Sequence, residues 1–259
     1  MSNQAAGKSF IPLLDGRALD AIKIVAALLM VIDHINLIWF KREVMEMELA
    51  GRAVFPLFCY AVAVALARGP DENREKTSGK YMAVLFGIGL FSEPFIQLAR
   101  PDSPLNVLFT LGLGVFFANA ARGMKDWQIC LVYFASAIVT ALADIELEFG
   151  FTGVMLPSAI LFVMQGRKIF IPFLLLLLLT VNMSGAAAAF FAQGGNGFST
   201  AILQSLAFGA VAVIMPYALL LMARDLPQDG RYLSKYSLHF FYPGHQLLIW
   251  SLGLHFAPF

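Results

Sequence analysis

Charge is what this chain has least of. Asp, Glu, Lys and Arg make up only 14% of its 259 residues, and 18 basic against 17 acidic side chains leave a formal net charge of +1. No global field therefore points to nucleic acid or another polyanion as a partner. Cysteine is nearly missing as well. Cys59 and Cys130 both sit inside apolar runs, at a spacing that suits neither a metal site nor a redox pair, and they read as packing residues. Residues 1–17 carry Lys8 and Arg17 but no apolar stretch ending in a small-residue cleavage site. They read as a retained cytoplasmic tail rather than a signal peptide. The glycine-rich AQGGNG at residues 192–197 lacks the Gly-Lys-Ser ending of a phosphate loop. No internal repeat stands out, so the pseudosymmetry common in secondary transporters is missing too.

Apolar side chains are abundant instead. They make up 59% of the chain, where a soluble domain has roughly 45–50%, and the mean hydropathy is +0.74. They come in runs of roughly 17–25 residues between short charged segments, the pattern of a polytopic α-helical membrane protein. A β-barrel would alternate residue by residue, and FLLLLLLTV does not. The fold expected is an all-α membrane bundle, a single domain over residues 18–259. Nine spans are read at 18–40, 52–67, 81–98, 105–121, 127–143, 151–165, 169–190, 201–222 and 233–256. The second and sixth are short for a bilayer, which leaves eight as the alternative.

Loop charge orients the chain. With the N-terminus inside, the inner segments hold Lys8, Arg17, Arg68, Arg74, Lys76, Lys80, Arg122, Lys125, Arg167, Lys168, Arg224, Arg231 and Lys235; the outer ones hold only Lys41, Arg42, Arg52 and Arg100. That asymmetry follows the positive-inside rule and supports nine spans. The segment from Arg68 to Lys80 reads as a solvated inner connector.

The first span is the unusual one, because ALDAIKIVAALLMVIDHINLIWF carries Asp20, Lys23, Asp33 and His34 at membrane depth. Each ionisable group there costs at least about 2.5 kcal/mol on insertion scales. At 100° per residue Lys23 and His34 lie within about 20° of each other and Asp20 about 40° from His34, while Asp33 points about a right angle away. One polar seam must therefore face protein. Other polar groups gather towards the outer half: Glu93, Asn106, Thr110, Asp144, Glu148, and His245 in the last span. Pro94 and Pro243 each free a helix carbonyl beside these groups, as at the wall of a wet pocket.

His34 is the candidate base, since imidazole exchanges protons near neutrality. A base needs an orienting partner; Asp33 points elsewhere, so Glu93 or Asp144 is expected to supply it. His245 is the second candidate histidine, beside Tyr242; His239 and His255 read as interfacial. Arg52 is expected to pair with Asp33 or to bind a carboxylate or acyl oxygen. Lys23 can neutralise itself on Asp20 or simply snorkel.

Taken together, several segments resemble the TraX family. They are LDAIKIVAALLMVIDHIN from Leu19 to Asn36, GRAVFPLF from Gly51 to Phe58 and KYMAVLFGIGLFSEPF from Lys80 to Phe95. LNVLFTLGLG from Leu105 to Gly114, FGFTGVML from Phe149 to Leu156 and FFYPGHQLLI from Phe240 to Ile249 follow in the family's order. Where the family usually has Asp-Tyr-Gly, this chain has Glu148-Phe149-Gly150. The resemblance implies a multi-pass protein of the bacterial inner membrane that acetylates the N-terminus of a conjugative pilin subunit, with acetyl-CoA as donor. Its site residues would be His34, Asp33, Glu93 and His245 for chemistry. Arg52, Asn106, Thr110, Tyr242, Lys23, Asp144 and Glu148 would serve binding. Head-to-tail cyclisation of pilin, which needs no CoA, is the nearest alternative; a proton-coupled transporter or a non-catalytic pilus-assembly factor is the more distant one.

Overall fold

The computed structural model describes residues 10–68, 74–99, 103–142, 147–181, 198–234 and 237–256. Among them the chain is all-helical, and its long apolar helices define a membrane helical bundle. The helices are α1 (Gly16–Trp39), α2 (Met45–Gly51), α3 (Val54–Arg68), α4 (Arg74–Ala99) and α5 (Val107–Ala121). They continue with α6 (Asp126–Leu142), α7 (Gly150–Met164), α8 (Ile171–Thr180) after a 3-10 turn, α9 (Phe198–Ala223) and α10 (Ser237–Phe256). Each of the nine expected spans is represented by a helix. Among the described residues four stretches are long and apolar enough to cross a membrane: Gly16–Trp39, Met45–Arg68, Ser78–Leu98 and Ser205–Ala223.

Two segments depart from the sequence reading. Residues expected in an outer loop form α2, which nearly continues α3, so the short second span is lengthened at its outer end. The Arg68–Lys80 connector is helical from Arg74 onward, and residues 69–73 lie outside the described residues.

α7 is the axis. Nearly every one of its residues from Gly150 to Val163 is buried, because it is enclosed by α3, α5, α6 and α8. An all-round apolar helix of this kind suits a bundle centre. Small residues let its neighbours close in: a Cβ on Gly114 would fall 2.9 Å from Pro157 Cγ, and one on Gly153 would meet Thr110 and Phe55. The buried Tyr133 hydroxyl and Ser158 Oγ bond at 2.8 Å.

The charged ends sort into two poles. At the basic pole Arg68 pairs with Asp15 at 2.9 Å and donates to the Leu14 carbonyl, Arg122 donates to the Leu66 carbonyl at 3.2 Å, and Arg167 pairs with Asp126. The opposite pole carries the α1–α2 turn, Arg42 and Arg52.

The polar seam of α1 does face protein, and the partner is the C-terminal segment throughout. Asp20 Oδ2 accepts the backbone N–H groups of Tyr232 and Leu233, both at 3.1 Å. Halfway up, the His34 ring meets the His245 ring, and near the top the Trp39 indole donates to the Ile249 carbonyl at 3.1 Å.

Candidate functional site

The centre of this seam is a histidine pair. His34 Nδ1 and His245 Nε2 are 2.8 Å apart, with the ring planes inclined by only 10°. α1 presents His34 and α10 presents His245, each about one turn from a cavity-lining residue, Met30 and Tyr242 respectively. The protons can be assigned by elimination. His245 Nδ1 lies 2.9 Å from the Phe241 carbonyl. A carbonyl only accepts, so that nitrogen carries hydrogen, and in the neutral ring Nε2 is then an acceptor. His34 must therefore donate through Nδ1, which leaves the lone pair of the neutral His34 ring on Nε2. The amide nitrogen of Gln246 approaches that lone pair at 3.4 Å. The relay reads Gln246 to His34 to His245 to the Phe241 carbonyl. It fixes the tautomer, as the second partner of a working imidazole generally does.

This geometry corrects one expectation. Glu93 does not orient His34: its Oε1 accepts from Gln97 at 2.9 Å and its Oε2 from Asn106 Nδ2 at 2.5 Å. Asp144 lies outside the described residues, as does the side chain of His255. Histidine, not a carboxylate, faces His34 Nδ1. Gln246 went unremarked in the sequence reading, although it directly follows His245 in FFYPGHQLLI.

Asp33 looks sideways from the pair into a second cluster. Arg42 Nη1 lies 3.7 Å from Asp33 Oδ1 and 3.6 Å from Glu48 Oε1, and Glu48 Oε1 also pairs with Arg52 Nη2. The ion pair of Arg52 is thus with Glu48 rather than with Asp33, which acts on it electrostatically. The Arg52 guanidinium also covers the Phe208 ring at 4.2 Å. Lys41 and Arg42 both adopt positive φ, 48° and 66°, in the turn that aims Arg42 inward. Gly51 matters here. A Cβ at this position would stand 2.6 Å from the Asp33 carboxyl carbon. Gly51→Ala should push Asp33 away from Arg42 and cost roughly 1–3 kcal/mol as overpacking, read as a lower midpoint of thermal unfolding in detergent. A midpoint equal to wild type would refute that close approach.

The third cluster is a lattice of amides and carboxylates that ties helix ends together. Asn106 caps α5 by accepting from Leu108 N at 3.0 Å, and its amide also donates to the Gly89 carbonyl at 3.0 Å. Glu148 Oε2 accepts from Val107 N at 3.0 Å, and Thr110 Oγ1 donates to the Glu148 carbonyl at 2.6 Å. Phe149, at φ 67°, stacks on Phe55 at 4.0 Å and so joins this lattice to the Arg52 segment. Asn106, Thr110, Glu148 and Glu93 thus converge as bundle-fastening groups: Asn106 pairs with Glu93, Gln97 joins them, and the remaining bonds run to backbone atoms at the helix ends.

Tyr242 meets His245 edge-on with ring centroids 5.8 Å apart, and Phe241 stacks on it at 4.8 Å. Lys23 lies 3.3 Å from Asp20, one turn below, as the spacing predicts. Lys23 and Tyr242 both line a cavity of about 930 Å³ enclosed by α1, α3, α4, α5 and α10.

Fold and site together define a polytopic helical membrane protein with a tautomer-locked histidine pair between its first and last helices. The family model described as "TraX protein" matches residues 18–253, and the chain belongs to that family. One similar relative is Protein TraX of Escherichia coli, 29% identical over 138 residues; the match covers 53% of this chain and 52% of the relative, so the chain spans about half of that protein's length. No solved structure matches the chain.

Proposed function

We propose that this protein forms an amide bond at the N-terminal amine of a pilin subunit, with His34 as the general base and His245 as its positioning residue. The observation that supports this reading most directly is the 2.8 Å contact between His34 Nδ1 and His245 Nε2. With the Phe241 carbonyl fixing the far proton, the pair presents an imidazole lone pair at His34 Nε2, turned toward a displaceable amide rather than toward lipid. An incoming ammonium can replace Gln246 there and give up a proton. The imidazolium that forms keeps its Nδ1 hydrogen bond, and the charge can pass along it to His245 and be stabilised by the carbonyl beyond. That proton passes from His34 to solvent, the freed amine attacks the acyl carbon, and His34 takes the second amine proton and hands it to the leaving atom as the old acyl bond breaks and the amide forms.

Acetyl-CoA is the donor in the acetylation reading, and when bound it supplies the acyl group as a thioester. The positive-inside asymmetry supports a cytoplasmic basic pole and a histidine pair in the outer half of a bacterial inner membrane, on the side of a processed pilin amine. The experiment is to co-express a pilin with the protein and weigh the processed subunit. Acetylation is expected to add the mass of one acetyl group. A subunit lighter by one water would replace acetylation with head-to-tail cyclisation by the same base. An unmodified mass would overturn amide formation altogether and leave a transporter or an assembly factor.

A further inference from the structure

The cavity between α1, α3, α4, α5 and α10 plays no part in the proton relay, yet its lining is polarised end to end. Its basic end is lined by Lys23, Arg68, Lys80 and Arg231, with Asp20 the one carboxylate among the described lining residues. Arg68 is partly neutralised by Asp15 and Lys23 by Asp20, and Arg68 and Arg231 both act on the charge of Lys23. Lys80 and Arg231 have no ion pair among the described residues. Four cations around one opening repel one another, and that repulsion is relieved by an anion, best by one with several oxygens.

Beyond this rim the walls turn apolar, with Phe58, Leu85, Ile88, Leu111 and Met30. At the far end stand Phe241 and Tyr242, the two rings that touch His245. From Lys23 to His34 the distance along α1 is about 16 Å. A cationic rim, an apolar shaft and a floor against the histidine pair call for an elongated ligand. It would carry phosphates at one end and a flexible arm at the other.

We infer that this cavity is the binding site of a phosphate-bearing acyl donor, seated by Lys23, Arg68, Lys80 and Arg231 with its acyl arm directed along the shaft toward His245. The occupant is a CoA thioester that enters from the basic pole. This assignment rests on the amide-forming reading for its purpose, but not for its test. A phospholipid headgroup presents the same phosphate chemistry, so the test separates the two.

The protein is reconstituted into nanodiscs of neutral phosphatidylcholine, and binding of radiolabelled CoA is measured by filtration for wild type, Arg231→Ala, Lys80→Ala and Arg231→Lys. Arg231 and Lys80 are exposed residues, so these variants keep the fold. Each alanine variant is expected to weaken CoA about 10- to 150-fold, in the range of a charge-assisted hydrogen bond, and the lysine variant to recover part of the loss. Pantetheine, which lacks the phosphates, should not compete. His34→Ala should bind CoA like wild type, and wild-type protein that binds CoA saturably yet leaves pilin unmodified would sink the catalytic reading and spare this one. No saturable CoA binding, or equal competition by pantetheine, overturns the site. So does retention of phosphatidylglycerol in native mass spectra that Arg231→Ala abolishes while CoA leaves it undisturbed, because the occupant is then lipid.

Discussion

Pilin co-expressed with His34→Ala protein should keep the mass of the processed, unmodified subunit. The ring supplies both the lone pair at Nε2 and the N–H that bonds to His245, so alanine removes the base and breaks the relay at once. General base catalysis typically contributes about 10²–10⁴-fold, enough to take a modification from complete to undetectable within a culture. His245→Ala should act more mildly. It leaves the base in place but frees its tautomer, so kcat falls while KM stays near wild type. That split of kcat from KM separates a positioning role from a merely structural one. A His34→Ala strain that still modifies pilin at the wild-type level would end the histidine mechanism.

Glu48→Ala should be the most destabilising single change at the outer pole. Glu48 is 7% exposed and holds Arg42 and Arg52 together through one carboxylate oxygen. Removing it leaves two guanidinium groups facing each other, with Asp33 the carboxylate that acts on both among the described residues. Breaking a buried pair by deleting one partner costs about 3–5 kcal/mol, and Glu48 is the buried side chain of α2, a helix of 7 residues otherwise tied to α1 through Asn36 and Val44. Chemical unfolding in detergent reads the loss directly. Glu48→Gln should fall between the two, keeping the shape and a hydrogen bond but not the charge. An unfolding midpoint for Glu48→Ala that matches wild type would mean that α2 is held by its apolar contacts alone.

Much of this architecture is written in local patterns. Runs of apolar residues mark the helices, and the 100° repeat places Asp20, Lys23 and His34 on one seam while turning Asp33 aside, as the structure has them. What escapes such reading is pairing across the chain. His34 and His245 are 211 positions apart, and nothing near either residue names the other. Of the two carboxylates expected to orient His34, Glu93 does not because Gln97 and Asn106 already engage it, and that engagement is decided by how α4 meets the start of α5; Asp144 lies outside the described residues. α2 hides for a different reason. MEMELAG is short and acidic, so hydropathy assigns it to a loop, whereas Glu48 becomes buried only because the positive-φ turn at Lys41 and Arg42 folds Arg42 back over it. Lys80 and Arg231 look like ordinary inner-loop charges until the helices enclose a space between them.

The fastening of α1 to the C-terminal segment has a consequence for biogenesis. The ribosome releases His34 and its seam first and their counterparts last. At about 5–20 residues per second, roughly 10–40 s pass before His245 emerges. During that interval the leading helix sits in lipid with Asp20 and Lys23 able to shield only each other. A nascent or prematurely stopped chain therefore lacks the His34–His245 contact, which forms only when α10 inserts beside α1.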